Sequence, residues 1–167
     1  MNHREIESMQ PITYSVSQGL RAGAIGGFIG SIVLGIIGEL GALAMNQELF
    51  YTTIARKLGF ADSSVLGGWA LHFLVGIIAG SLFVGATAAI RRFALTRTKK
   101  AVWVGILAGI AIWIIVYVPV TGILIPEDLT NITFAGGTLV LHILYGIVTT
   151  IVSLSLLRRM AKTKITA

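Results

Sequence analysis

The chain contains no cysteine and only three prolines, and charged residues fill just 12% of its 167 positions. Without cysteine there is no disulfide framework, no thiolate zinc site, no iron–sulfur cluster and no cysteine nucleophile. The shortage of charge excludes more. A soluble domain typically carries about 25% charged residues, and half of that cannot coat a globule of this size. Walker, GxSxG and clustered-aspartate motifs are also missing, so nothing is organised like a soluble active site and no catalytic residue is assigned. The first twenty residues, MNHREIESMQPITYSVSQGL, lack the apolar core of a cleaved secretory signal, so the first hydrophobic helix is expected to stay in the mature protein.

What fills the chain instead is apolar: 55% hydrophobic residues, twenty glycines and a mean hydropathy of +0.87. A bilayer core about 30 Å thick takes roughly 20 apolar helical residues to cross, and four stretches qualify, at about 22–45, 65–90, 101–125 and 138–157. The expected fold is an all-α integral membrane protein, a single four-transmembrane-helix bundle over 22–157. It lies between an N-terminal segment, 1–21, and a basic tail, 158–167.

A net charge of +6 and a pI near 10.1 suit nucleic-acid binding, but the positions of the basic residues give them another job. Arg4 and Arg21 precede the first span, Arg91, Arg92, Arg97, Lys99 and Lys100 join the second to the third, and Arg158, Arg159, Lys162 and Lys164 follow the fourth. The other side holds Arg56 and Lys57 in the first loop and only Glu127 and Asp128 in the third. Positive residues are retained inside, so both termini are expected in the cytoplasm and the protein in the cell (inner) membrane. Its expected partners are the lipid bilayer and a homo-oligomer or larger membrane complex, with no nucleic acid. In the first external loop, Leu49, Phe50, Ile54, Leu58 and Phe60 are spaced to share a helical face. An amphipathic segment over about 47–61 is therefore expected, either anchored on the membrane surface or capping a site.

The second and fourth spans repeat a motif at an offset of seventy residues, LHFLVGI from Leu71 to Ile77 and LHILYGI from Leu141 to Ile147. Each block follows a glycine pair, and each span ends at a double arginine. The chain therefore reads as two tandem two-helix hairpins, parallel in the membrane rather than inverted. Aligning the first and third spans at Gly27 and Gly105 sets Glu39 opposite Tyr117. Glycines at helical spacing (Gly23, Gly26, Gly27, Gly30 and Gly35, then Gly76 and Gly80, then Gly105, Gly109 and Gly146) mark the faces along which the helices are expected to pack.

Titratable side chains inside a bilayer cost of order 3 kcal/mol when charged, and each is a site candidate by default. Glu39, His72 and His142 are such residues, at roughly 9, 10 and 6 Å inside the outer helix ends at 1.5 Å per residue, and Tyr117 lies at a comparable depth. His72 shares a column with Gly76 and Gly80, and His142 one with Gly146 and Thr150, so both should face inward. Four readings fit this polar cluster. It is a hydrogen-bonded clasp between helices; a proton-responsive site facing outward; a transition-metal site of His72, His142 and Glu39; or a haem b site on the two histidines. The first two make a non-enzymatic polytopic protein without a cofactor, the last two a redox or accessory subunit. A small permease or channel would require an oligomer.

Several of these residues also carry a resemblance. With Glu39 at the outer end of the first span and His72 early in the second, the third span begins GILAG (Gly105–Gly109) and closes in PVTGILIP (Pro119–Pro126). The fourth has His142 near its start and ends in LLRR. From about Gly26 to Arg159 the chain resembles small inner-membrane proteins of the YagU type, although where that pattern has a histidine in the third span this sequence has apolar residues and Tyr117. The resemblance implies the four-span architecture and no particular reaction.

Overall fold

The computed structural model describes residues 14–60 and 64–163. The first thirteen residues of the N-terminal segment, residue 61 of the amphipathic stretch and the last four residues of the basic tail lie outside that range. Helix α1 spans Val16–Ala44, α2 Phe50–Lys57, α3 Ser64–Ala89, α4 Thr98–Leu124, α5 Pro126–Thr130 and α6 Ile132–Thr163. No strand occurs among the described residues. Four of these helices, α1, α3, α4 and α6, are long and apolar enough to cross a membrane. Their exteriors carry Leu40, Leu66, Leu82, Ile115 and Ile123, all more than half exposed, as lipid-facing helices do and water-facing ones do not. The chain is thus a membrane protein of four long helices.

The ends of the helices differ from the hydropathy limits because capping chemistry, not apolarity, sets them. Helix α1 starts six residues before the expected span, where Ser15 and Gln18 form a capping box that satisfies the first free N–H groups. Helix α6 likewise starts at Ile132 rather than about 138, because the Asn131 side chain accepts from the Phe134 N–H at 3.1 Å. The turn after α1 passes through Asn46 at φ 53°, a left-handed conformation that asparagine tolerates. Helix α4 is interrupted by a π-helical turn over Trp113–Tyr117, with the Val118 N–H bonded to Trp113 O. Pro119 follows, with no N–H to give Ile115 O and a ring that crowds that carbonyl, and the wider turn before it accommodates the misfit.

Helix α1 packs on α3 and on α6, and α6 packs on α4, giving the lateral order α3, α1, α6, α4. Glycine makes these contacts possible. A Cβ on Gly80 would lie 2.6 Å from Gly23 O and 2.7 Å from Gly27 Cα, and one on Gly105 would lie 2.7 Å from Gly146 O. All ten glycines named above lie where a Cβ would come closer than 3.0 Å to a neighbouring helix. In lipid, where apolar surface gains little by leaving its solvent, this backbone approach supplies the dispersion contacts that hold helices together. Hydroxyls add cross-helix bonds in the same half: Ser153 Oγ to Ala22 O at 3.0 Å, Thr150 Oγ1 to Ala101 O at 2.8 Å and Ser81 Oγ to Leu20 O at 3.0 Å.

The packed core sits at the end of the bundle that carries the α3–α4 connection, around Ala22, Val84, Leu95, Ala101, Val104, Leu154 and Leu157. Tyr14 closes it, with its hydroxyl 2.7 Å from Thr87 Oγ1 and accepting from the Leu95 N–H at 2.9 Å. Toward the opposite end the helices separate. Beyond Gly35 no residue of α1 is buried, and a Cβ on Gly41, Gly136 or Gly137 would meet nothing within 4 Å. The bundle is closed at its basic end and open at the other.

Candidate functional site

The separation of the helices leaves a cavity of about 480 Å³. Its walls come from the second half of α1, from α2, from the start of α3, from the end of α4 and from the start of α6, and most of them are apolar. Glu39, His72, Tyr117 and His142 all line it. So do Phe134 and Gly137, in the stretch that hydropathy assigned to a loop, and Thr138 at the start of the expected fourth span.

The polar residues share this cavity without forming the expected clasp. Each imidazole finds a backbone carbonyl instead of a carboxylate. His72 Nε2 lies 2.8 Å from Ser31 O on α1, and His142 Nδ1 lies 2.7 Å from Thr138 O one turn back on its own helix. Both carbonyls require an N–H, which fixes the tautomers as Nε2–H for His72 and Nδ1–H for His142 in the neutral rings. The opposite nitrogen of each ring keeps its lone pair. Glu39 is partly exposed and, among the described residues, makes no hydrogen bond or ion pair. There is therefore no buried Glu/His cluster: α1 has already diverged from its neighbours at Glu39, and the histidines are satisfied closer by. Nor do three His, Asp or Glu side chains converge among the described residues, so the metal set of His72, His142 and Glu39 is not brought together. A haem on both histidines would have to take His72 Nε2 from the Ser31 carbonyl or turn to Nδ1.

Aromatic rings occupy the place that the carboxylate was expected to fill. Tyr51 of α2 stacks on His72 at 4.1 Å between ring centroids, and Trp69 meets the same imidazole edge-on at 6.0 Å. On the other side Tyr117 meets His142 edge-on at 5.7 Å, stacks on Trp113 at 5.5 Å and touches Phe50 at 5.6 Å. Phe50 also reaches Phe134 at 6.0 Å. The amphipathic segment thus turns Phe50, Tyr51 and Ile54 into the cavity and covers it, while Arg56 and Lys57 stay exposed. Gly68 lets α2 sit this close, since a Cβ there would lie 2.5 Å from Tyr51 O.

Burial, and then the nearby charge of Glu39, push the Tyr51 phenol far above its ordinary value, so it stays neutral and able to donate. Tyr117 is only 3% exposed, yet its hydroxyl has no hydrogen-bond partner; the Thr121 hydroxyl nearby is buried and unpartnered as well. An unsatisfied buried hydroxyl costs about 1–3 kcal/mol, and neither of these two presents accessible surface to the cavity. Beneath the cavity Tyr145, also 3% exposed, donates to Gly76 O at 2.6 Å and ties α6 to α3. Sequence reasoning missed Tyr51 and Tyr145. An aromatic in a segment already assigned to a surface helix, and a tyrosine aligned with Val75 in the repeat, gave no separate signal.

A protein-family model described as a family of unknown function, DUF6789, matches residues 17–163. The chain belongs to that family. No curated protein and no solved structure matches it closely enough to count as a relative. The DUF6789 match runs from the first turn of α1 to the last of α6 and takes in every residue that lines the cavity.

Proposed function

We propose that this DUF6789 protein is a non-enzymatic cell-membrane protein that binds a small, largely apolar molecule in the cavity, at the external face. The observation that carries this reading is the cavity itself. Small-molecule sites are concave, about 300–1,000 Å³ in volume, mostly apolar and furnished with a few convergent polar groups. A space of about 480 Å³ lined by Phe50, Tyr51, Leu141 and Phe134, with Glu39, Tyr117 and two imidazoles among them, has that composition.

The external placement is supported by charge. Arg92, Arg97, Lys99, Lys100 and Arg158 lie at the closed end, whereas the connections at the open end hold Arg56 and Lys57 beside Glu48, Glu127 and Asp128, an asymmetry that supports both termini inside. The tandem-hairpin architecture is supported by equivalent contacts. Gly27 meets Gly76 as Gly105 meets Gly146, and the Gly23–Gly80 approach corresponds to the Ala101–Thr150 hydrogen bond. We take the YagU-type likeness as a proposal of shared architecture alone.

The test is binding of N-phenyl-1-naphthylamine, a neutral apolar fluorophore, to protein in neutral-lipid nanodiscs, with empty nanodiscs as the blank. Saturable binding to wild type, lost in Gly137→Trp, is expected, since Gly137 lines the cavity and has free space around it. Equal binding by the two proteins, or none by wild type, would remove the pocket reading. A second, proton-responsive reading is favoured by the presence of Glu39 and two half-engaged imidazoles in one cavity. It fails if Glu39→Gln and the double variant His72→Ala, His142→Ala keep wild-type thermal stability at every pH.

A further inference from the structure

Resting on the pocket reading, we infer that the ligand is a lipophilic organic cation, an amine or quaternary onium carried on an apolar body. Three features of the cavity converge on that class. The first is the hydrogen-bond inventory. His72 and His142 have committed their N–H groups to Ser31 O and Thr138 O, so each neutral ring offers a ligand only a lone pair. Glu39 is an acceptor with no partner, and among the described residues no lysine or arginine lines the cavity to neutralise it. An anionic ligand would meet a carboxylate and two lone pairs with no cation to receive it. A neutral one would leave the carboxylate unpaired in a largely apolar enclosure.

The second feature is the aromatic wall. Phe50, Tyr51 and Phe134 line one space together, and aromatic rings attract cations more strongly when water is excluded. Third, the field at this end has the right sign. With Arg56 and Glu48 paired to each other, Glu39, Glu127 and Asp128 stand against Lys57 among the described residues. A cleft lined by charge of one sign within low-dielectric walls concentrates the opposite sign. The apolar remainder of the lining, with Leu34, Ile37, Leu71 and Leu141, suits the hydrocarbon body of such a ligand rather than a bare ammonium or metal ion.

The experiment displaces bound N-phenyl-1-naphthylamine with tetraphenylphosphonium or tetraphenylborate, near-isosteric ions of opposite charge, in neutral-lipid nanodiscs with empty-nanodisc blanks. The phosphonium is expected to displace the probe at a concentration at least about tenfold below that of the borate. Glu39→Gln should weaken the phosphonium by about tenfold relative to the neutral probe, whose saturable binding to the variant shows that it is folded. Glu39→Asp, which keeps the charge, should retain the preference. Equal displacement by the two ions, preference for the borate, or an unaltered phosphonium affinity in Glu39→Gln would overturn the cation assignment and leave the pocket reading standing. Failure of the neutral probe to bind wild type at all would overturn both.

Discussion

Replacing Gly80 with alanine tests the closed half of the bundle with one methyl group. A Cβ there would lie 2.6 Å from Gly23 O, 2.7 Å from Gly27 Cα and 3.0 Å from Gly27 N, all backbone atoms that cannot rotate away. To restore ordinary contact at about 3.4 Å, α1 and α3 must part by about 0.8 Å at their closest crossing, and the neighbouring glycine contacts loosen with them. Overpacking of this kind costs about 1–3 kcal/mol. Against it stands the gain of about 1 kcal/mol from replacing glycine by alanine within a helix. The net expectation for Gly80→Ala is a loss of about 0–2 kcal/mol, larger for Gly80→Val. The control is the same substitution at Gly136, in α6, where a Cβ meets nothing within 4 Å. Only the helix-propensity gain remains there, so Gly136→Ala should be neutral or stabilising by up to about 1 kcal/mol. Thermal unfolding in mild detergent, followed by far-ultraviolet circular dichroism, reads both. The reasoning is refuted if Gly80→Ala and Gly80→Val melt at or above wild type while Gly136→Ala melts below it.

Tyr51→Ala should remove the ring that stacks on His72 and shorten the residence time of a bound naphthylamine, whereas Tyr51→Phe should preserve the stack and the off-rate; stopped-flow fluorescence separates them. Arg56 holds Glu48 below the ordinary carboxylate range, so their pairing contributes above the unfolded carboxylate value and is lost as pH falls through the lower, folded one. Amide exchange in α2 should therefore accelerate in that acidic window in wild type and lose this pH dependence in Glu48→Gln. Because the chain has no cysteine, single introduced thiols report sidedness directly. Lys99→Cys should react with an impermeant maleimide only from the cytoplasm, and Asn131→Cys only from outside, in whole cells and inverted vesicles.

How far the sequence could be read depended on what each pattern encodes. Four apolar stretches and glycine at helical spacing describe helix bodies, and those bodies are where hydropathy put them. Helix starts were missed by six residues at both α1 and α6, because Ser15 with Gln18 and Asn131 act through capping bonds that an apolar average does not weigh. The inward faces of His72 and His142 followed from their columns with glycine, but their partners did not. A histidine close to a backbone carbonyl is satisfied there, and periodicity says nothing about Ser31 O or Thr138 O. Helix α2 was the hardest. Leu49, Phe50, Ile54, Leu58 and Phe60 give the same amphipathic pattern whether the apolar face meets lipid or a cavity, and only the fold shows Phe50 and Ile54 turned inward. Tyr51 was hidden for the same reason.

The most direct measurement of whether the open end of the bundle is a binding site is native mass spectrometry of the protein released from mild detergent after incubation with N-phenyl-1-naphthylamine, beside Gly137→Trp. One bound molecule per wild-type chain and none on the variant is the expected result. Adducts of equal number on both proteins, or no specific adduct on wild type, would contradict it.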